Sequence, residues 1–86
     1  MPEYTVVFAR SARKELQALD RTVATRILKR IEALRLEPRR SGCKKLEGTD
    51  DLWRIRIGDW RVVYSVDDGR ALVEISVVRH RRDAYR

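Results

Sequence analysis

Arginines at alternate positions of a strand-like pattern are the residues of this chain most suited to chemistry. Arg54 and Arg56 lie in one apolar–basic run, and Arg61 follows the next turn signal. A guanidinium group presents a planar fork of N–H donors that matches the oxygens of a phosphate. The pattern therefore predicts a surface that binds a phosphodiester backbone and could cleave it.

A basic tail follows the last predicted strand and extends this candidate site. It contains a histidine, several arginines and a tyrosine: Arg79, His80, Arg81, Arg82, Tyr85 and Arg86. Histidine is the only side-chain type that ordinarily titrates near neutral pH, so His80 is a candidate general acid or base. An ordinary surface histidine is the alternative interpretation.

Two turn signals define the strands that carry the arginines. Gly58-Asp59 is typical of a two-residue hairpin with glycine first, and Asp68-Gly69 is typical of a type I′ turn. The predicted register places opposite each other Ile57 and Trp60, Arg56 and Arg61, Val66 and Ala71, and Arg61 and Ser76.

Side chains alternate between the two faces of such a sheet. The predicted apolar face carries Trp53, Ile55, Ile57, Trp60, Val62, Tyr64, Val66, Ala71, Val73, Ile75 and Val77. The other face carries Arg54, Arg56, Arg61, Val63, Ser65, Leu72, Glu74, Ser76 and Val78. Arginines opposed on one face repel each other. Pairing with Glu74, screening by solvent, or an anionic ligand would offset that cost, and the excess of arginine favours the ligand.

The N-terminal half supplies the elements that pack on the apolar face. Tyr4 to Phe8 is a predicted strand, and Ser11 and Asp20 are predicted caps of two amphipathic helices. The second helix is predicted to end at Glu37-Pro38, before a polar loop from Arg39 to Asp51. The predicted order is β-α-α-β-β-β, an α+β fold with both helices on one face of a small, mainly antiparallel sheet. The apolar stripe of the helices comprises Ala12, Leu16, Leu19, Val23, Ala24, Ile27, Leu28, Ile31 and Leu34.

Composition narrows the class of protein. The 86 residues predict one domain over residues 1–86, and 16 of the 20 basic residues are arginine, within a net charge of +7. That charge suits a polyanionic partner such as nucleic acid. Cys43 is alone, so we expect a reducing, cytoplasmic location without a disulfide or a zinc site. No apolar run predicts a membrane span, and the N-terminal residues do not predict a signal peptide.

Two segments taken together resemble a known family. Leu46-Glu47-Gly48 precedes the run from Asp51 to Tyr64 with its Gly58-Asp59-Trp60-Arg61 turn, and the chain closes with His80-Arg81-Arg82-Asp83-Ala84-Tyr85-Arg86. These segments resemble the RelE/ParE superfamily of type II toxin–antitoxin toxins, most closely its RelE branch. Trp60 stands where tyrosine is commoner in the family.

The resemblance implies a ribosome-dependent endoribonuclease that cleaves messenger RNA in the decoding site without a metal or another cofactor. It implies that Arg61 and Arg81 hold the phosphate and that Tyr85 stacks on a base. Arg54 and Arg56 match a basic pair in which some members carry lysine. Lys44, Lys45, Arg79 and Arg82 are the further residues expected to contact RNA.

Three further expectations follow from the resemblance. A toxin of this family implies a cognate RelB-like antitoxin whose acidic arm suits the basic helix faces. The ParE branch, which inhibits DNA gyrase, is one alternative function, although its members usually lack the tail arginine and tyrosine. The other alternative is an inactive RNA-binding module with the same fold.

Overall fold

Five strands and two helices make up the part of the chain that the computed structural model describes, residues 3–39, 43–46, 51–80 and 82. The sheet order is β1-β5-β4-β3-β2, with β1 parallel to β5 and the other neighbours antiparallel. The α+β prediction is confirmed, with one strand more than expected. The elements are β1 (Thr5–Phe8), α1 (Arg10–Gln17), α2 (Arg21–Ala33), β2 (Lys44–Lys45), β3 (Leu52–Ile57), β4 (Trp60–Asp67) and β5 (Leu72–His80).

The start of α2 has a local cause, whereas the start of α1 depends on a long-range contact. The Asp20 carboxylate accepts a hydrogen bond from the Val23 N–H at 3.0 Å, so the predicted cap of α2 is confirmed. The predicted cap of α1 is wrong, because the capping position is Ala9 and Ser11 lies inside the first turn. The Ala9 N–H donates to the Ile75 carbonyl of β5 at 2.9 Å, so the sheet itself sets where α1 begins.

The hydrophobic core lies between the helices and one face of the sheet. Ala12 of α1 and Ile27, Ile31 and Leu34 at the inner side of α2 are buried, as the helical spacing predicted, whereas Leu28 remains 40% exposed. Trp53 and Trp60 are half-buried and pack against this core, as expected. The buried sheet residues are Ile55, Ile57, Val62, Tyr64, Val66, Val73, Ile75 and Val78.

The hairpin between β3 and β4 has the predicted register. Ile57 pairs with Trp60 and Arg56 pairs with Arg61, and Gly58 has φ +60° in the two-residue turn. Glycine adopts this left-handed conformation without a steric penalty, which is why the turn fits there. The structure thus confirms that two arginines face each other across adjacent strands.

The loop between β4 and β5 comprises residues 68–71 and is two residues longer than the predicted Asp68-Gly69 turn. Asp67 pairs with Leu72 and Val66 with Val73, so the predicted Val66–Ala71 pair is wrong. The Asp67 side chain accepts the Arg70 N–H at 3.1 Å inside the loop. Ala71 adopts a left-handed φ of 49°, and its carbonyl accepts the N–H of Thr5 from β1 at 2.8 Å. The loop residue Ala71 is therefore hydrogen-bonded to β1 instead of pairing with β4.

The predicted pairing of Arg61 with Ser76 is also wrong, because the longer loop moves the register by two residues and a β-bulge further along β5 moves it by one more. Tyr64 pairs with Ile75 but Val63 pairs with Val77, so Ser76 is an extra residue on β5. An extra residue reverses the faces of everything that follows it. Val78 rather than Val77 is consequently buried in the core, and Arg79 rather than Ser76 stands opposite Arg61.

The segment after α2 also differs from its prediction. The helix ends at Ala33 instead of reaching Glu37-Pro38, although the Glu37 N–H still donates to the Ala33 carbonyl at 3.2 Å. The predicted polar loop contains the short strand β2, which pairs with β3. The predicted turns at Gly42 and Gly48 lie outside the described residues. Neither described helix is long and apolar enough to span a membrane.

Candidate nucleic-acid interface

Three arginines align across three neighbouring strands on the sheet face opposite the core. Arg56 pairs with Arg61, and Arg61 pairs with Arg79; we call these three residues the arginine row. Neighbouring strands lie about 4.8 Å apart, so the Cα atoms of the outer two arginines are about 10 Å apart. Arg56 and Arg79 are exposed and Arg61 is half-buried. The row concentrates positive charge within the span of one or two nucleotides.

Two further basic residues continue this face toward the sheet edge. Lys44 of β2 pairs with Arg54 of β3, and Arg54 shares its face with Arg56 because side chains two residues apart point the same way. Lys45 pairs with Trp53 and so belongs to the other face. The structure thus places Lys44 and Arg54 on the same sheet face as the arginine row, and Lys45 on the opposite face.

Glu74 does not neutralise the arginine row. It pairs with Ser65, four residues along β4 from Arg61, which is about 13 Å at the ordinary rise of a strand. The register predicted from the sequence placed Glu74 closer to Arg61, because it assumed a shorter loop between β4 and β5. Pairing with Glu74 is therefore not what offsets the repulsion between the arginines.

Glu15 of α1 is a residue that sequence reasoning missed. One carboxylate oxygen, Oε1, accepts the backbone N–H of Val78 at 3.0 Å, and the other, Oε2, accepts Nε–H of Arg79 at 3.0 Å. The available signal was that Glu15 is the one acidic residue in the sequence of α1, Arg10–Gln17.

His80 lies on the other side of the sheet from the arginine row. It pairs with Trp60, and the two rings meet edge to face with centroids 5.2 Å apart. The Nδ1 atom accepts the backbone N–H of Arg82 at 3.2 Å, which places the proton of the neutral ring on Nε2. His80 therefore contacts the first part of the basic tail through the tail's backbone.

The rest of the tail is described only at Arg82, which is exposed. The candidate residues Arg81 and Tyr85 lie outside the described residues. Their predicted roles in holding phosphate and stacking on a base stay predictions.

A polar cluster at the far end of the sheet fixes the described segment that follows α2, up to Arg39. The Arg39 guanidinium donates to both carboxylate oxygens of Asp68, at 3.1 and 2.8 Å, and lies 5.6 Å from the centre of the Trp53 ring. The Tyr4 hydroxyl donates to Asp68 at 2.6 Å. Hydrogen bonds from Arg39 and then from Tyr4 lower the pKa of Asp68, and the bond to Asp68 raises the pKa of Tyr4.

Tyr64 attaches the same segment to the core. Its side chain is buried, and its hydroxyl donates to the Pro38 carbonyl at 2.6 Å. Burial, with a further contribution from Cys43, raises the pKa of Tyr64 above the ordinary value of 10.0. The phenol therefore remains neutral and available as a donor.

A groove with a volume of about 330 Å³ lies on the helical side, away from the arginine row. It is lined by Phe8 of β1 and by residues of both helices, Arg13, Leu16, Gln17 and Leu28. Three of these lining residues are apolar and Arg13 carries a positive charge. The two sides of the molecule therefore differ, with a basic sheet face on one and a partly apolar groove on the other.

Comparison with known proteins defines the class. A family model described as the ParE toxin of a type II toxin–antitoxin system, parDE, matches residues 6–85. Two toxins of Mycobacterium tuberculosis are similar over nearly the whole chain. RelE is 33% identical over 96% of this chain and 87% of its own, and RelG is 34% identical over 96% and 97%.

Solved structures agree with this assignment. The archaeal RelE–RelB complex of Pyrococcus horikoshii OT3 is similar with a TM-score of 0.79 at 36% identity, over 92% of this chain and 96% of that one. The Escherichia coli RelBE toxin–antitoxin complex gives 0.81 at 29%, over 90% and 95%. The chain belongs to the RelE/ParE superfamily of type II toxin–antitoxin toxins.

Proposed function

We propose that this toxin is a ribosome-dependent endoribonuclease that cleaves messenger RNA in the decoding site and so inhibits translation in the cytoplasm. The observation that carries the proposal is the arginine row, three arginines in register on neighbouring strands, on the sheet face that the described helices leave uncovered. The similarity to RelE toxins supports the same function. Lys44 and Arg54 extend the basic face toward the sheet edge, where they would contact RNA.

The reaction requires no group outside the RNA to supply the nucleophile. The ribose 2′-oxygen attacks the adjacent phosphorus, the bond from phosphorus to the 5′-oxygen breaks, and the products are a 2′,3′-cyclic phosphate and a 5′-hydroxyl. Negative charge increases on the phosphate oxygens in the transition state. Fixed cations aimed at those oxygens stabilise it without reorganising, and we assign this role to Arg61 with Arg81.

Proton transfer falls to residues other than the arginines, because a guanidinium is not deprotonated in proteins. His80 and Tyr85 are the two candidates from the sequence, and the position of His80 on the other side of the sheet from the arginine row favours Tyr85. The Nδ1 contact of His80 with the Arg82 backbone gives His80 a second function, which is to direct the tail. His80→Asn separates the two, since asparagine keeps a hydrogen-bond acceptor but cannot transfer a proton. Cleavage retained in His80→Asn but lost in His80→Ala would favour the directing role.

We propose a RelB-like antitoxin as the protein partner. Arg13 lines the groove together with Phe8 and Leu16, and both helices carry further exposed basic residues, so an acidic amphipathic helix complements both the charge and the apolar lining. Those basic residues are Arg13, Lys14, Arg21, Arg26, Lys29 and Arg30. Several of the similar solved structures are RelE–RelB complexes, which supports this partner.

The test is cleavage of a defined mRNA on programmed ribosomes, mapped by primer extension, with naked mRNA and an Arg81→Ala variant alongside. A cut within the decoding-site codon that requires ribosomes and disappears in the variant supports the proposal. A folded protein that leaves both mRNA and translation intact contradicts it.

Inhibition of DNA gyrase is the second candidate function, because the family model that matches the chain is that of the ParE toxin. A supercoiling assay distinguishes it, since a gyrase inhibitor blocks supercoiling and spares mRNA. An inactive RNA-binding module is the third. In that case substituting Arg61 lowers RNA affinity and its salt dependence, while no ribosomal cut is seen with the wild-type chain.

A further inference from the structure

The arginine row exists only because of the β-bulge in β5. Without the extra residue Ser76, the register of Tyr64 with Ile75 would continue and place Arg79 opposite Trp60. Arg79 would then point to the helical side of the sheet, because one residue of register reverses every face. With the bulge, Arg79 stands opposite Arg61. A contact that stabilises the bulge therefore also keeps Arg79 in the arginine row.

Glu15 is the side chain in position to hold it. Strand β1 pairs with β5 only as far as Ile75, and from Ala9 the chain turns into α1. Beyond that point α1 covers the edge of β5, and Glu15 accepts the backbone N–H of Val78 at 3.0 Å. Val78 is two residues past the bulged Ser76, so the carboxylate takes the place of a strand carbonyl where β1 has left the sheet.

The second carboxylate oxygen orients Arg79. It accepts Nε–H at 3.0 Å, which fixes one edge of the guanidinium plane. The two Nη groups carry the other four N–H donors of that side chain. A carboxylate here also reduces the repulsion between Arg79 and Arg61. The Glu15 side chain is 27% exposed and that of Arg79 is 52% exposed, so the anchor is the more buried partner.

We propose that Glu15 is a positioning residue, which fixes the β5 bulge and orients Arg79 so that the arginine row can bind the substrate phosphodiester backbone. This inference rests on the proposed function. Glu15 acts through Arg79 and through the Val78 amide, and it does not itself contact RNA.

A graded set of variants tests the proposal. Glu15→Gln provides one carbonyl oxygen for two donors, and Glu15→Ala provides none. We expect the single-turnover cleavage rate on programmed ribosomes to fall in that order, by on the order of tenfold to a hundredfold, because small misplacements of binding groups have effects of this size. Glu32→Gln is the matched control, since Glu32 makes an exposed ion pair with Arg35 away from the arginine row. It should cleave like the wild type.

A double-mutant cycle separates positioning from general stabilisation. Glu15→Gln should have little further effect on cleavage in an Arg79→Ala background. An equal loss in both backgrounds, or a wild-type rate in Glu15→Gln with Arg79 intact, would overturn the proposal. If Glu15→Ala does not fold, the Gln variant and the cycle still decide it.

Nuclear magnetic resonance provides a reading that does not depend on cleavage. In the wild type the Val78 amide and the Arg79 Nε–H should exchange slowly with solvent, and both should lose protection in Glu15→Gln. Unchanged protection would overturn the proposal even where cleavage is normal. If the wild-type protein shows the protection but cuts no mRNA, the proposed function fails while the structural anchor stands.

Discussion

Removing the hydroxyl of Tyr64 should destabilise the fold, because it leaves a buried carbonyl without its hydrogen-bond donor. The phenol is fully buried and donates to the Pro38 carbonyl at 2.6 Å. In Tyr64→Phe that carbonyl loses its partner in the protein interior, and a buried unsatisfied group costs about 1–3 kcal/mol. We expect the free energy of unfolding to fall by about 1.5 kcal/mol.

The melting temperature converts this into a measurable shift. The entropy of unfolding is about 2.1 cal/mol/K per residue, so a domain of this size should lose about 8 °C. Urea denaturation should show a lower midpoint with an unchanged m-value. Tyr4→Phe is the control, since its hydroxyl bonds Asp68 at the surface and should matter less. A Tyr64→Phe variant as stable as Tyr4→Phe would refute the reasoning.

The raised pKa of Tyr64 adds a dependence on pH. The folded phenol resists ionisation, whereas the unfolded one ionises near its ordinary value of 10.0. Its contribution to stability is therefore complete below pH 10 and declines as the pH rises above that value. Tyr64→Phe should show a smaller alkaline loss of stability than the wild type.

Three other predictions concern the loop between β4 and β5, stability at acid pH, and RNA binding. Ala71→Gly should raise the free energy of unfolding by about 0.5–1 kcal/mol in urea denaturation, because glycine removes the strain of a left-handed φ. The greater entropy of glycine in the unfolded chain cancels part of this gain. A lower free energy of unfolding would contradict the presence of strain at Ala71. Asp68→Asn should reduce the loss of stability that the protein shows at acid pH, since Arg39 lowers the pKa of Asp68 in the folded state. The stability that this carboxylate contributes is present above its unfolded pKa and is lost as the pH falls through its folded pKa. An unchanged loss of stability at acid pH would be inconsistent with this. Arg56→Ala should reduce the slope of log affinity against log salt for RNA by roughly 0.7 to 0.9, and an unchanged slope would place Arg56 outside the interface.

The first hairpin shows what a local pattern can determine. Gly58 occupies the one turn position that needs a left-handed conformation, and strict alternation on both strands allows one register. The pairing of Arg56 with Arg61 follows from these local facts alone. The capping of α2 by Asp20 is equally local.

The second hairpin and the bulge depend on distant partners. Asp68-Gly69 predicts a two-residue turn, but hydrogen bonding of Ala71 to Thr5 in β1 and the side chain of Asp67 favour a longer loop. The bulge is held by Glu15, 63 residues away from Val78 in the chain. Side-chain alternation carries no information about such contacts, so the sequence could not place Arg79 in the row.

The strand β2 was missed for a related reason. Two lysines do not have the apolar alternation of a strand, so the local pattern gives no sign of their pairing with β3. Distant contacts also hold the described residues after α2, where Tyr64 bonds Pro38 and Arg39 bonds Asp68. The position of β2 is a consequence of tertiary contacts rather than of local propensity.

The most direct test of the central claim is the single-turnover rate of mRNA cleavage on programmed ribosomes by Arg61→Ala, with Arg70→Ala as control. Arg70 is exposed in the loop between β4 and β5, at the other end of the sheet. If Arg61 stabilises the phosphate in the transition state, Arg61→Ala should cleave about 100-fold to 1,000-fold more slowly while remaining folded, and Arg70→Ala should cleave normally. A folded Arg61→Ala that cleaves at the wild-type rate would contradict the account.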